Sequence, residues 1–210
     1  MAGADLSVSG ASAAGRLGFL RQFLRNPRQL GSITPSSRFL TRAVVEQIDF
    51  ERARRIVELG PGTGVFTREL LRRLSADGAL LALDTNRDFV ARLASTLPDP
   101  RLSAVHASAE HVAEHVAARE WESADVIVSG IPYTLLPRAV TTTIVHACWR
   151  ALAPAGLFVG YQYSPYLRPF LMAQFGNCRL KLVLRNLPPA VVFASRSGLV
   201  VDSTRRRLAE

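Results

Sequence analysis

Lysine is almost absent from this 210-residue chain: of 26 basic residues only Lys181 is lysine, and the other 25 are arginine. Codon usage in a GC-rich genome produces such a ratio, but it cannot set the sign of the charge or its placement. Acidic residues number 17, leaving a net charge of +9, and between Arg16 and Arg42 stand six arginines and no acid. A surplus of this kind implies an anionic partner, either nucleic acid or a membrane surface. Cysteine is scarce too. Cys148 and Cys178 lie far apart without metal-type spacing, which excludes a disulfide scaffold or zinc finger and fits a reducing cytoplasm. No apolar run approaches the roughly 18 residues that a membrane span needs. Residues 1–15 lack the basic start and apolar centre of a signal peptide, with Asp5 where positive charge belongs, and are expected to be a flexible tail. No G-x-S-x-G occurs, so nothing points to a serine hydrolase. At 48% hydrophobic and 20% charged, the composition is that of an ordinary globular chain able to bury its own core.

From Arg54 onward, apolar runs of strand length alternate with amphipathic helical ones. Strands are expected at Arg55–Leu59, Ala79–Leu83, Leu102–His106, Asp125–Ser129 and Gly156–Tyr163. Helices are expected at Thr63–Ser75, Arg87–Ser95, Glu110–Arg119 and Pro137–Leu152. This rhythm implies right-handed βαβ units around a parallel sheet. Two further strands, Arg179–Leu184 and Ala190–Ala194, are joined by Pro188–Pro189 rather than by a helix, which permits an antiparallel pair at the sheet's end. The expected fold is therefore α/β and Rossmann-like, a mostly parallel seven-stranded sheet over residues 51–210. Ahead of it, residues 16–50 read as a helical, membrane-facing segment. Ser36 and Ser37 can cap a helix running to Ile48. In Arg16–Asn26, Leu17, Phe19, Leu20, Phe23 and Leu24 fall within an arc of about 160°, with Arg21, Arg25 and Arg28 beside it. A helix packed on the core has the same pattern. Arginine flanks without acids favour an interfacial helix, with Phe19, Leu20, Phe23 and Leu24 among acyl chains and Arg21 and Arg25 at anionic headgroups.

The densest chemical signal is Glu58-Leu59-Gly60-Pro61-Gly62-Thr63-Gly64, directly after the first strand and opening a helix. Alternate glycines let the backbone approach a ligand where any Cβ would clash. The dinucleotide fingerprint G-x-G-x-x-G would need glycine where Val65 stands, which disfavours a pyrophosphate cradle. The run resembles motif I of the class I S-adenosylmethionine-dependent methyltransferases. That resemblance implies that Gly60, Gly62 and Gly64 lie under the methionine and ribose parts of the cofactor and that Glu58 helps place its methionine end. Asp84, followed by Thr85, would accept the ribose hydroxyls. Ser108 and Ala109 would meet adenine, and Ser129 would close the cofactor site at the fourth strand. S-adenosyl-L-methionine is the implied donor and S-adenosyl-L-homocysteine the product.

Two subfamilies share the form ELGPGTG. The rRNA adenine N6-dimethyltransferases read Asn-Leu-Pro-Tyr after the fourth strand, where the Asn accepts the hydrogens of a poorly nucleophilic exocyclic amine. Here Ser129-Gly130-Ile131-Pro132-Tyr133 puts glycine in that place, and no helical C-terminal domain is expected in the few residues after the last strand. Base methylation is the alternative, and a nucleic-acid partner is disfavoured. Over nearly its whole length the chain is more similar to bacterial phospholipid N-methyltransferases. The likeness lies in Phe23-Leu24-Arg25-Asn26-Pro27, Ile33-Thr34-Pro35-Ser36-Ser37, the glycine motif, Ser129–Pro132 with Leu136-Pro137, Tyr161–Pro165 and Arg185–Ala190. It implies methylation of the headgroup amine of phosphatidylethanolamine, leading to phosphatidylcholine, by an enzyme peripheral on the cytoplasmic face of an anionic cell membrane. Gly160-Tyr161, where that family has Gln-Phe, and Tyr133, where it has an aliphatic residue, depart from the pattern.

Methyl transfer to such an amine is an in-line displacement at a sulfonium. An amine with a pKa near 10.4 is neutral in only about one molecule in 2,500 at pH 7, a deficit of roughly 4.6 kcal/mol. Desolvation or a proton acceptor is therefore required. Tyr133, Tyr161 and Tyr163 are the candidates, Tyr163 first by family position, and their rings can also hold a developing quaternary ammonium. The competing role for a strand-end tyrosine is core packing. Arg185 is placed to clamp the lipid phosphate, with Ser36 and Ser37 also on the substrate side. His111-Val112-Ala113-Glu114-His115 formally matches the H-x-x-E-H zinc pattern, but no third ligand suggests itself and no metal is expected.

Overall fold

Strands at the centre of a parallel sheet need apolar side chains on both faces, and the first five runs supply them. The computed structural model describes residues 38–198. It begins with α1 (Arg38–Val45), then alternates β1 (Arg55–Leu59), α2 (Val65–Arg73), β2 (Ala79–Asp84), α3 (Arg87–Thr96), β3 (Leu102–His106), α4 (Val112–Ala117), β4 (Ala124–Ser129), α5 (Arg138–Ala151) and β5 (Leu152–Gln162). After α6 (Arg168–Phe175), β6 (Arg179–Val183) forms the sheet edge, and β7 (Ala190–Arg196) returns antiparallel between β5 and β6. The seven strands lie in the order β3-β2-β1-β4-β5-β7-β6.

Side chains sort by period two. Leu59, Leu83, Ile127, Phe158 and Phe193 pack with α4, α5 and α6 in one core, whereas Ile56, Leu80, Val128, Val159 and Val192 pack with α1 and α2 in the other. One register row, Val105–Leu83–Leu59–Ser129–Gly160–Phe193–Leu180, crosses every strand. β1 lies between β2 and β4, so the chain leaves β1 on one side and later returns on the other. An open α/β sheet holds its ligand crevice at such a reversal, beyond the carboxyl ends of the strands.

Two expected elements are built differently, and α6 is a helix that the alternation of runs does not predict. The helix expected over Glu110–Arg119 is divided, because the Ser108 hydroxyl accepts the Glu110 N–H and caps a tight 3-10 turn, Ala109–His111, ahead of α4. β5 starts four residues before its apolar run, at Leu152 rather than Gly156, through a register shift opposite Ala124 and Val126 and a left-handed Ala155 (φ 60°). The amphipathic helix Arg16–Asn26, with Phe19, Leu20, Arg21, Phe23, Leu24 and Arg25, lies outside the described residues, as do Ser36 and Ser37. Among the described residues no helix is long and apolar enough to cross a membrane.

Candidate active site

Glu58 is an acid inside a buried strand. Its side chain lies under the start of α2, where the Thr67 hydroxyl donates to Oε2 at 2.7 Å, and only 2% of the residue is exposed. Burial pushes its pKa up to about 7; the Thr67 hydroxyl opposes the rise, the Asp84 charge adds to it, and the Thr67 backbone N–H opposes it again. Asp84 ends β2, accepting the Gly62 N–H at Oδ2 (3.3 Å) and the Asn86 N–H at Oδ1 (2.8 Å). Burial raises its pKa as well, against those backbone donors. Between the two carboxylates runs the loop of Gly60, Gly62 and Gly64, at φ 69°, 52° and 79°, where a Cβ is strained. Two buried, mutually repelling carboxylates flanking such a loop suit a ligand with a cationic end and a vicinal diol.

Across the crevice, the Gly130 N–H donates to the Leu59 carbonyl at 2.8 Å and the Gly60 N–H to that of Leu83 at 2.8 Å, so both loops extend the sheet by one rung. A Cβ on Gly130 would stand 2.9 Å from the Gly60 carbonyl oxygen and 3.0 Å from the Tyr161 hydroxyl. The place an amide side chain would begin from is thus taken by Tyr161, whose ring stacks on Phe66 of α2 with centroids 4.8 Å apart. Gln162, next along β5, donates Nε2 to the carbonyls of Ile131 and Tyr161, both at 2.7 Å, and ties the strand end to the loop after β4.

Residues 56–156 match the family described as methyltransferase domain, a stretch holding both carboxylates, the glycine loop and Gly130. The fold is that of the class I S-adenosylmethionine-dependent methyltransferases. The solved structure of the Burkholderia thailandensis 1,6-didemethyltoxoflavin-N1-methyltransferase, with its substrate and S-adenosylhomocysteine bound, shares this fold. Its TM-score is 0.68 at 15% identity over 92% of this chain and 93% of that one. Over 180 residues the methyltransferase is 29% identical to an ornithine lipid N-methyltransferase from Singulisphaera acidiphila, covering 85% of this chain and 94% of that one. It is also 33% identical over 97 residues to ribosomal RNA small subunit methyltransferase A from Laribacter hongkongensis, but that spans 46% of this chain and 35% of that one. S-adenosylmethionine is the methyl donor and S-adenosylhomocysteine the product. The carboxylates of Glu58 and Asp84 and the cradle of Gly60–Gly64 fit that cofactor's ammonium and ribose.

The methyltransferase separates its three candidate tyrosines. Tyr161 lies on the crevice floor, and Tyr163 stands at the rim, 48% exposed. Tyr133 is a core residue rather than a neighbour of the reacting amine. It is fully buried, its hydroxyl is 2.9 Å from Ser129 Oγ, and burial holds its pKa well above the ordinary value. Ser129, expected beside the cofactor, turns its hydroxyl into that same buried pair. Tyr133→Phe leaves the Ser129 hydroxyl without this partner and is expected to lower unfolding free energy by about 1–2 kcal/mol in urea titrations, with turnover little changed.

The remaining expected residues line the ends of β2 and β3 and the outer edge. Thr85 is exposed, its carbonyl 3.1 Å from His106 Nε2, and Ser108 donates to Glu110 Oε2 at 3.1 Å beside the buried Ala109. The Arg185 guanidinium stands 5.5 Å from the Phe39 ring centroid, and that of Arg38 stands 4.9 Å from the same ring. Among the described residues neither arginine has an acidic partner. His111 Nδ1 lies 2.9 Å from Glu114 Oε2 on the surface, and among the described residues no group of three or more His, Cys, Asp and Glu could hold a metal. Thr67, Gln162 and the Arg38–Phe39 pair were not singled out by sequence. Thr67 alone has a local signal, since it sits one helical turn beyond Gly64.

Proposed function

We propose that this methyltransferase methylates the headgroup amine of a zwitterionic membrane lipid, phosphatidylethanolamine or an ornithine lipid, at the anionic cytoplasmic surface of the membrane. The observation that carries the reading is the Tyr161 hydroxyl beside Gly130: the floor offers a phenol to an amine and no amide to a base. The ornithine lipid N-methyltransferase, similar along almost its whole length, supports a lipid substrate. S-adenosylmethionine, when bound, supplies an electrophilic methyl group. The Tyr161 hydroxyl accepts a hydrogen bond from the substrate amine and orients its lone pair, while Phe66 fixes the phenol and keeps water from that side. Tyr163, half in solvent, offers the developing cation a ring face and the departing proton a route to bulk water. Arg185 and Arg38, held against Phe39 and without a carboxylate partner among the described residues, take the headgroup anion, phosphate or carboxylate alike.

The test incubates the protein and labelled S-adenosylmethionine with vesicles of phosphatidylethanolamine, vesicles of ornithine lipid, and ribosomal RNA. Label is expected in lipid, and the more active vesicle identifies the headgroup. Tyr161→Phe is expected to reduce kcat about a hundredfold while leaving S-adenosylhomocysteine binding intact. Label in RNA and in neither lipid would overturn the reading.

A further inference from the structure

The β6–β7 hairpin carries an apolar face that the rest of the fold leaves bare. On β6, Lys181 reaches Glu46 Oε2 at 3.0 Å and Val183 is buried in the α1–α2 core, so one face is covered. Leu180 and Leu182 alternate onto the opposite face, where the covering helices stop short, and Leu184 follows them into the turn. Their exposure rises toward the turn, from 46% through 59% to 70%, and Leu187 at the tip is 82% exposed. The turn is built rather than loose, since buried Asn186 donates its side-chain amide to the Pro188 carbonyl at 2.7 Å.

Position gives this face its meaning. Leu180 lies on the register row at the crevice base, so Leu184 stands four residues further along, roughly 14 Å beyond it. The turn therefore projects on the same side of the sheet as the carboxyl ends of β1, β4 and β5, next to Arg185 and the rim residue Tyr163. Charge complements the face. From residue 126 to residue 201 the sequence has seven basic residues and no acid.

We propose, on the ground of the aminolipid reading, that this hairpin tip is a membrane-docking element. Leu184 and Leu187 enter the acyl boundary of an anionic bilayer, Arg185 meets its headgroups, and the crevice mouth is turned toward the lipid. An exposure gradient that peaks at the tip matches insertion of a wedge about 5–10 Å deep better than flat pairing with another sheet. Apolar tips with arginine beside them are held at such interfaces by both terms together.

The test uses the full chain and Leu184→Ser/Leu187→Ser, leaving Arg185 in place. Flotation with vesicles containing phosphatidylglycerol and phosphatidylethanolamine is expected to show partitioning lowered about tenfold to a hundredfold. Binding of S-adenosylhomocysteine and methylation of a monomeric short-chain aminolipid are expected to stay at the wild-type level. In the otherwise native chain, Leu187→Trp should be quenched by lipids brominated on their acyl chains. Wild-type partitioning in the double variant, together with no quenching, would overturn the proposal even where the wild type methylates lipid. Concentration-dependent dimers lost in the variant with partitioning unchanged would also overturn it, and would assign the face to a second copy. A lowered melting temperature with partitioning unchanged would assign it to the chain's own residues 1–37. Failure of the wild type to methylate any lipid defeats the substrate reading separately, because partitioning is read without turnover.

Discussion

Glu58→Gln is expected to make the cofactor-free methyltransferase more stable at pH 8 and to remove most of its affinity for S-adenosylhomocysteine. Glu58 has an ordinary value of 4.5, as in the unfolded chain, and burial raises it to about 7 in the folded protein. Between those values the folded state keeps a proton that the unfolded state has released. Stability therefore falls as pH rises from about 4.5 to about 7, then levels, and the full loss is roughly 3 kcal/mol. Asp84, raised by burial too, acts in the same direction. Glutamine has the shape of the protonated acid, still accepts the Thr67 hydroxyl, and carries no charge to desolvate. Urea unfolding across this window should show a decline in the wild type that is smaller in the variant. Calorimetry should show the opposite ranking for the ligand. Its ammonium end favours the ionised carboxylate, so wild-type affinity climbs through pH 7, and the variant loses about ten- to hundredfold. Equal stability at pH 8, or unchanged affinity, would contradict this account of Glu58.

Gly130→Asn restores the residue that base methyltransferases carry, and it is expected to inactivate this one. A new Cβ would meet the backbone oxygen of Gly60 at 2.9 Å, and backbone in a bonded loop yields poorly. Either the loops after β1 and β4 part, or Tyr161 leaves Phe66; the cost is about 1–3 kcal/mol of stability. Displacing the phenol by an ångström costs on the order of a hundredfold in turnover. Thermal unfolding and lipid methylation, measured together, check both effects. RNA methylation should not appear, because the amide would arrive in a site whose geometry it has disrupted. A variant with wild-type melting temperature and lipid activity would show that the crevice floor has room the structure does not have.

Local chemistry was readable where it depends on neighbours in the chain. Glu58, the glycine loop and Asp84 sit at fixed offsets from two strand ends, and strands buried on both faces announce themselves as apolar runs. The order of the last two strands needed the structure. Their turn allows either to pair with β5, and the interior place goes to β7, largely buried along its length, while Arg179 and Lys181 keep β6 at the edge. The roles of the tyrosines were illegible for a similar reason. Tyr133 can reach back to Ser129, four residues away, or forward into the crevice, and spacing does not choose. Tyr161 is fixed by Phe66, from a helix distant in sequence, and by the absence of a side chain at Gly130. In sequence Gly130 reads as a missing amide, and the structure gives it a positive reason: a Cβ there would crowd the Gly60 carbonyl and the Tyr161 hydroxyl.

The run without acids that begins at residue 126 divides the sheet by charge. Residues 49–125 build β1, β2, β3 and the start of β4 with ten basic and thirteen acidic side chains, while residues 126–198 build the other half of the sheet with seven basic and none acidic. The body built by residues 49–198 thus divides, in sequence and in sheet alike, into two halves opposite in sign. Such a body has an electric dipole lying across its strands. An approaching negative surface exerts a torque on it before any atom touches, turning the β6 edge foremost. That bias shrinks as salt shortens the reach of the field.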